Sequence, residues 1–227
     1  MATLPRCLQL FGRVLYKEER LGGLLPKGFK RAAVLIPLFL RKNEWYLLFT
    51  RRTEHVRNHP GQISFPGGRL DESDENVVHT ALRETYEEIG INEVQIIGSI
   101  NDILTISQYI VTPFVGVVSE EDVKAKNINH NEIEYILEVP VSHLANPDHF
   151  TLRTREWQGN KFLVPFFYYK KEEIWGATGR ILVDFLNRFF LLDKNCQSEI
   201  FGLFRWLPVE LADQDLETLR KRGILEF

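Results

Sequence analysis

Only two cysteines, Cys7 and Cys196, and a single methionine occur among the 227 residues. Two thiols cannot build a disulfide framework or a thiolate zinc site, and a reducing compartment is expected, with the cytoplasm first and the mitochondrion as the alternative. Long apolar runs are missing too. A bilayer-spanning helix needs ~20 apolar residues, and the stretch 103–118 is broken by Ser107, Gln108, Thr112 and Pro113. A soluble protein without a membrane partner is the expectation. Charge of one sign is also scarce: a net charge of −3 leaves no broad positive surface for nucleic acid. No internal repeat or low-complexity tract occurs. Hydrophobic content of 44% with 12% aromatic residues is ample for a packed core, and the length suits one domain with extensions.

The stretch around which the chain is organised is 61–91, GQISFPGGRLDESDENVVHTALRETYEEIGI. A turn on Phe65, Pro66, Gly67 and Gly68 precedes a segment with helix signals at both ends. Ser73 or Asp74 suits the N-cap, Glu75 suits the positive end of the dipole, and Gly90 suits a C′ stop, which predicts a helix over 74–89. At helical periodicity Val77, Val78, Ala81, Leu82, Thr85 and Ile89 share a mostly apolar arc, and Glu84, Glu87 and Glu88 crowd the neighbouring one. Like charges so placed cost roughly 0.2 to 0.5 kcal/mol per i,i+4 pair. One reading is a solvated face with Arg83 paired to Glu87. The other is a hard divalent cation, Mg²⁺ or Mn²⁺, held by oxygen ligands and shared with substrate phosphates. The Gly-Gly turn favours the second, because glycines let backbone groups approach a metal or phosphate closely.

These residues carry a family resemblance. Arg83-Glu84-Thr85-Tyr86-Glu87-Glu88-Ile89-Gly90-Ile91 resembles the second half of the Nudix box, G-x5-E-x7-REUxEExGU with U apolar. Thr85 stands at an aliphatic position, and the span from Gly68 to Arg83 is longer than the general pattern by one residue, so either Asp74 or Glu75 takes the place of the first acid. A longer box is a feature of the coenzyme A diphosphatase branch. Leu47-Leu48-Phe49-Thr50-Arg51-Arg52-Thr53, Arg57, Gly61 and Phe65-Pro66-Gly67-Gly68 also resemble that branch's LLTxRSA-x3-R-x3-G-x3-FPGG signature, with replacements at Phe49, Arg52 and Thr53. The likeness runs over about 30–190 through Ala32–Pro37, Val111–Phe114 and Trp175–Thr178.

Elsewhere, 33–40 and 45–50 read as strands around the hairpin-like Arg41-Lys42-Asn43-Glu44. Arg51, Arg52 and Arg57 precede the glycine turn, where guanidinium groups are well placed for phosphate oxygens. His55 and His59 read as surface residues. Strands are expected at 94–100 and 109–118. The charged stretch 119–131 reads as a lid, and 132–140 turns into a strand. Two patches, 150–155 and 161–168, flank a hairpin turn at Gln158-Gly159-Asn160. Residues 175–192 have helical periodicity. The basic N-terminal segment reads as a helix docked on the core, with a faint likeness to an organellar presequence. The domain division is 1–30, an extension; 31–192, the main domain; and 193–227, an extension whose role the sequence does not tell.

The resemblance implies an α/β fold, a Nudix-type α/β/α sandwich with a mixed sheet between the box helix and a C-terminal helix. It implies metal-dependent hydrolysis of the diphosphate of coenzyme A or an acyl derivative, with Mg²⁺ or Mn²⁺ as cofactor. Glu84, Glu87 and Glu88 would hold the metal, Arg83 would orient them, and Glu132 would complete the site or act as base, ahead of Glu120, Glu121 and Glu134. Arg51, Arg52, Arg57, Gly67 and Gly68 would bind substrate, with the Gly67 or Gly68 carbonyl a further ligand. The expected partner is a small nucleotide substrate, and a homodimer stays open. Two rivals remain: a Nudix hydrolase of ADP-ribose, a dinucleotide or a damaged nucleotide, and a non-catalytic nucleotide-binding module.

Overall fold

The computed structural model describes residues 15, 27–56, 58–157 and 160–190. The docked N-terminal helix and the segment 216–222 fall outside these residues, as does Arg57; of the N-terminal extension, Leu15 is described and is buried in the main core. Strand β1 (Lys30–Arg41) meets β2 (Glu44–Arg52) through Lys42 and Asn43, both at positive φ. That is the two-residue hairpin geometry whose twist matches the flanking strands. After two short strands, β3 (Ile63–Ser64) and β4 (Gly67–Arg69), comes helix α1 (Val77–Ile89). Strands β5 (Gln95–Ser99), β6 (Ile103–Leu104) and β7 (Tyr109–Val117) follow, then helix α2 (Glu120–Ala125) and β8 (Ile133–Pro140).

These eight strands form one mixed sheet. β1 is parallel to β7, with Lys30 opposite Tyr109 and Leu38 opposite Val117, and the other pairings are antiparallel. β1 is buried on both faces because helices cover both. Ala33 and Leu35 pack with Val77 and Ala81 of α1, whereas Ile36 and Leu38 join the large core on the other face. That core includes Ile181, Leu182 and Phe185 of helix α4 (Gly176–Phe190), so the predicted sandwich of sheet between box helix and C-terminal helix is the one found.

Three expectations change. The helix starts at Val77, not 74: Asn76 is extended and its side-chain oxygen accepts from His79 N–H at 2.9 Å, which makes it the N-cap. Asp74 is engaged elsewhere, and Glu75 precedes the helix. The expected lid is no loose loop. Ser119 caps α2, Val123 is fully buried, and the N–H groups of Asn127 and Asn129 donate to the carbonyls of Ile89 and Glu88, closing the end of α1. Residues 150–174 form a separate three-stranded antiparallel sheet of β9 (Phe150–Trp157), β10 (Asn160–Tyr169) and β11 (Glu172–Ile174), reached through the short helix α3 (Val141–Ala145). The third of those strands was not foreseen. No helix among the described residues is long and apolar enough to cross a membrane.

Candidate active site

Helix α1 sets the site. Its C-terminal stop is as predicted: Gly90 has φ 72° and its N–H bonds Tyr86 O. Thr85, the odd residue in the apolar arc, is fully buried and donates its hydroxyl to Ala81 O at 2.6 Å, so it satisfies itself within the helix. Thr80 is fully buried as well and donates to Asp74 Oδ2 at 2.8 Å.

The acidic edge divides into three environments. Glu87 is half exposed and paired with Arg83 at 3.0 Å, the i,i+4 contact expected of a solvated face. Glu84 is partly buried, with Arg83 Nη1 at 3.0 Å, and burial raises its pKa. Glu88 is only 3% exposed, which sets it apart from a solvated helix face. It has three contacts: Gly67 N–H at 3.3 Å, Arg52 Nη1 at 3.4 Å, and its own backbone carbonyl's bond to Asn129. Burial pushes its carboxyl up to about 8 despite Arg52, with Glu84 and Glu132 adding repulsion. A buried carboxylate with two long hydrogen bonds to its four lone-pair positions is undersatisfied.

Arg83 is fixed from the other side. Asp74 grips it in a fork, Oδ1 to Nε at 2.8 Å and Oδ2 to Nη2 at 2.9 Å, while also accepting from Thr80 and from Asp71 N–H at 3.0 Å. Between Asp74 and Glu75 as first acid of the box, Asp74 is the residue with a role in the site; its side chain has no exposed surface, and Glu75 is exposed. Arg83 holds the Asp74 carboxyl well below the usual carboxylate range. Asp74 therefore contributes stability that is present above about pH 4 and lost as pH falls toward its lowered pKa. Asp74→Asn is expected to destabilise the fold by roughly 3 kcal/mol at pH 7, with the gap narrowing at pH 3. Urea unfolding at the two pH values measures it, and a pH-independent gap would contradict the assignment.

The glycine turn fits against both acids. A Cβ on Gly68 would lie 2.4 Å from the Glu84 carboxylate, and one on Gly67 would lie 2.3 Å from Ala33 O. Gly67 offers Glu88 its N–H rather than a carbonyl. Glu132, just before β8, comes to the same place, with Arg52 Nη2 at 3.7 Å from Oε2. Arg52, expected to bind substrate, thus spans Glu88 and Glu132. Of the competing loop acids, Glu120 pairs with Arg41 and Lys124, and Glu134 with Arg51. Arg51 is taken up by Glu54, Glu134 and Glu172 and lies over the Tyr135 ring at 5.6 Å. The substrate role expected of Arg51 would have to share its guanidinium with these three carboxylates. His55 and His59 are exposed, as expected.

No three His, Cys, Asp or Glu side chains among the described residues converge into a ready-made metal cage. An undersatisfied Glu88 beside Glu84 and Glu132 fits a hard cation that completes its shell with water and substrate oxygens.

A family model described as NUDIX domain matches residues 29–161. The chain belongs to the Nudix family. A Yersinia pestis (strain Pestoides F) relative, "Uncharacterized Nudix hydrolase NudL", is 36% identical over 159 residues, covering 67% of this chain and 76% of that protein. A MutT/nudix family protein from Enterococcus faecalis shares the fold, with a TM-score of 0.50 and 13% identity over 90% of this chain and 75% of its own. The NUDIX domain of Shewanella oneidensis NrtR, solved with ADP ribose, aligns at a TM-score of 0.41 and 19% identity over 54% of this chain and 81% of its own. The chain is thus a Nudix hydrolase, an enzyme of the class that cleaves diphosphate bonds and generally uses divalent metal ions.

Proposed function

We propose that this Nudix hydrolase cleaves the diphosphate of coenzyme A or an acyl-coenzyme A, giving 3′,5′-ADP and 4′-phosphopantetheine or its acyl form, in a domain spanning 31–192. The observation that carries this reading is where the stretch with coenzyme A-branch spacing lies. The chain from β2 to the glycine turn is the one that touches the buried acids, Arg52 and Gly67 on Glu88, and Gly68 against Glu84.

Glu84 and Glu88 are the assigned holders of Mg²⁺ or Mn²⁺, with Glu87 third because Arg83 competes for it. When bound, the cation supplies charge neutralisation on the diphosphate oxygens and makes water more acidic. The protein's own part is to accept the proton that the attacking water sheds as a phosphorus–oxygen bridge breaks. Glu132 is the assigned acceptor. It is half exposed, so it can exchange that proton with solvent, and Arg52 steadies it beside Glu88. Arg83, anchored by Asp74, keeps Glu84 and Glu87 in place.

A chromatographic panel of coenzyme A, dephospho-coenzyme A, ADP-ribose, a dinucleotide and a damaged nucleoside triphosphate, run with Mg²⁺ and Mn²⁺, tests the substrate. The highest kcat/KM is expected for coenzyme A or its acyl form; a preference for ADP-ribose would overturn the reading, and no turnover of any member would favour a binding module. Glu132→Gln is expected to lower kcat roughly a hundredfold or more with little change in KM, as loss of a general base does. Unchanged kcat would reassign the base.

A further inference from the structure

A cleft of about 410 Å³ lies away from the carboxylates, lined by Arg41, Tyr46, Tyr135, Tyr169, Lys170 and Lys171 among others. It runs along β8 and the turn between β10 and β11. Glu132 immediately precedes β8, so Tyr135 lies about 10 Å along the chain from it at the rise of an extended strand. The cleft therefore begins within one nucleotide's reach of the acids.

Its charges are mostly spent. Arg41 is paired with Glu120 and Glu138, Glu138 also accepts from Lys126, and Glu172 accepts the Tyr135 hydroxyl at 2.6 Å and faces Arg51. Lys170 and Lys171 are the exception. Both are exposed, neither has an ion-pair partner among the described residues, and Lys170 lies over the Tyr169 ring at 5.1 Å. Lys170 also has φ 55°, a left-handed position in a two-residue turn where glycine or asparagine is at home. Finally, β8 pairs only with β2 among the described residues, so its other edge has no strand partner, and Tyr135, Ile136, Leu137 and Glu138 of that strand line the cleft.

Aromatic faces, a strand edge without a strand partner, and two surplus cations are together the chemistry that holds a purine carrying an extra phosphate. We propose that this cleft seats the adenine and 3′-phosphate of the substrate, with Lys170 and Lys171 reading the phosphate. The inference rests on the proposed coenzyme A reading and moves the selection for the 3′-phosphate from Arg51, which three carboxylates share, to the β10–β11 turn.

The test is Lys170→Gly with Lys171→Ser, a pair that keeps the left-handed turn comfortable. kcat/KM for coenzyme A should fall about ten- to a hundredfold, the loss expected of charge-assisted bonds to phosphate, and that for dephospho-coenzyme A should change less than about threefold. Equal losses on both substrates, or none on either, would overturn the proposal. Binding of 3′,5′-ADP and 5′-AMP by calorimetry separates the two readings. Tighter binding of 3′,5′-ADP by wild type, lost in the double variant, would support the cleft even if coenzyme A were not hydrolysed. Equal binding of the two nucleotides by wild type would overturn it whatever the activity.

Discussion

Glu88→Gln is expected to cut turnover by roughly a thousandfold or more while leaving the metal-free fold at least as stable as wild type at neutral pH. The two effects share one cause. A carboxylate that is 3% exposed, with a backbone N–H at 3.3 Å and a guanidinium at 3.4 Å, is costly to keep charged without a cation, and its carboxyl is pushed up to about 8. A raised folded-state pKa means that the folded protein binds the proton more tightly than the unfolded chain. The stabilising contribution is full below the unfolded value of 4.5 and is lost as pH rises through about 8. Metal-free wild type should therefore lose stability across that window, and Glu88→Gln should lose less, the remainder coming from Glu84, whose pKa burial also raises. Added Mg²⁺ or Mn²⁺ should raise the wild-type Tm more at pH 8 than at pH 5, because the cation must displace the proton at low pH. Thermal melts with and without metal, alongside single-turnover rates, check both halves. Full activity in Glu88→Gln, or a metal-induced Tm shift independent of pH, would remove Glu88 from the metal site.

The sandwich was legible because the box helix and the strands carry strong local signals. The strand 33–40, the Lys42-Asn43 turn and the Gly90 stop each follow from residues a few positions apart. What the sequence hid depends on long-range placement. Glu87 and Glu88 are neighbours on the helix, yet one is half exposed and the other buried, because β4 and Arg52 cover only the second. Arg51 and Arg52 look alike as a basic pair. Strand alternation and a register shift between them send one to Glu54, Glu134 and Glu172 and the other to Glu88 and Glu132. The charged 119–131 stretch looked like a lid because its composition is polar, but the single apolar anchor Val123 and two N–H groups given to the end of α1 dock it.

The two glycines of the turn should fail in different ways when each is replaced by alanine. At Gly67 the backbone has φ 152°, and the new Cβ would lie 2.3 Å from Ala33 O and 2.6 Å from Val34 Cα. Both obstacles are backbone atoms of β1, the strand at the centre of the sheet, so relief requires β4 to peel away from its partner. A loss of roughly 3 kcal/mol or more is expected from strain of this kind. That corresponds to a Tm drop of roughly 6–12 °C for a domain of this size. At Gly68 the obstacle is the Glu84 carboxylate, with Oε1 and Cδ each 2.4 Å from the new Cβ. This is the far end of a flexible side chain and can swing aside at little cost to the fold. Displacing it also pulls Glu84 from Arg83 and from its place beside Glu88, so Gly68→Ala should keep its Tm within about 3 °C and lose roughly a hundredfold in kcat, as a misplacement of about 1 Å at a reacting centre does. Melting curves and initial rates on the two variants distinguish the cases. A Gly68→Ala variant with wild-type kcat would mean that Glu84 is free to move without consequence and takes no part in the chemistry.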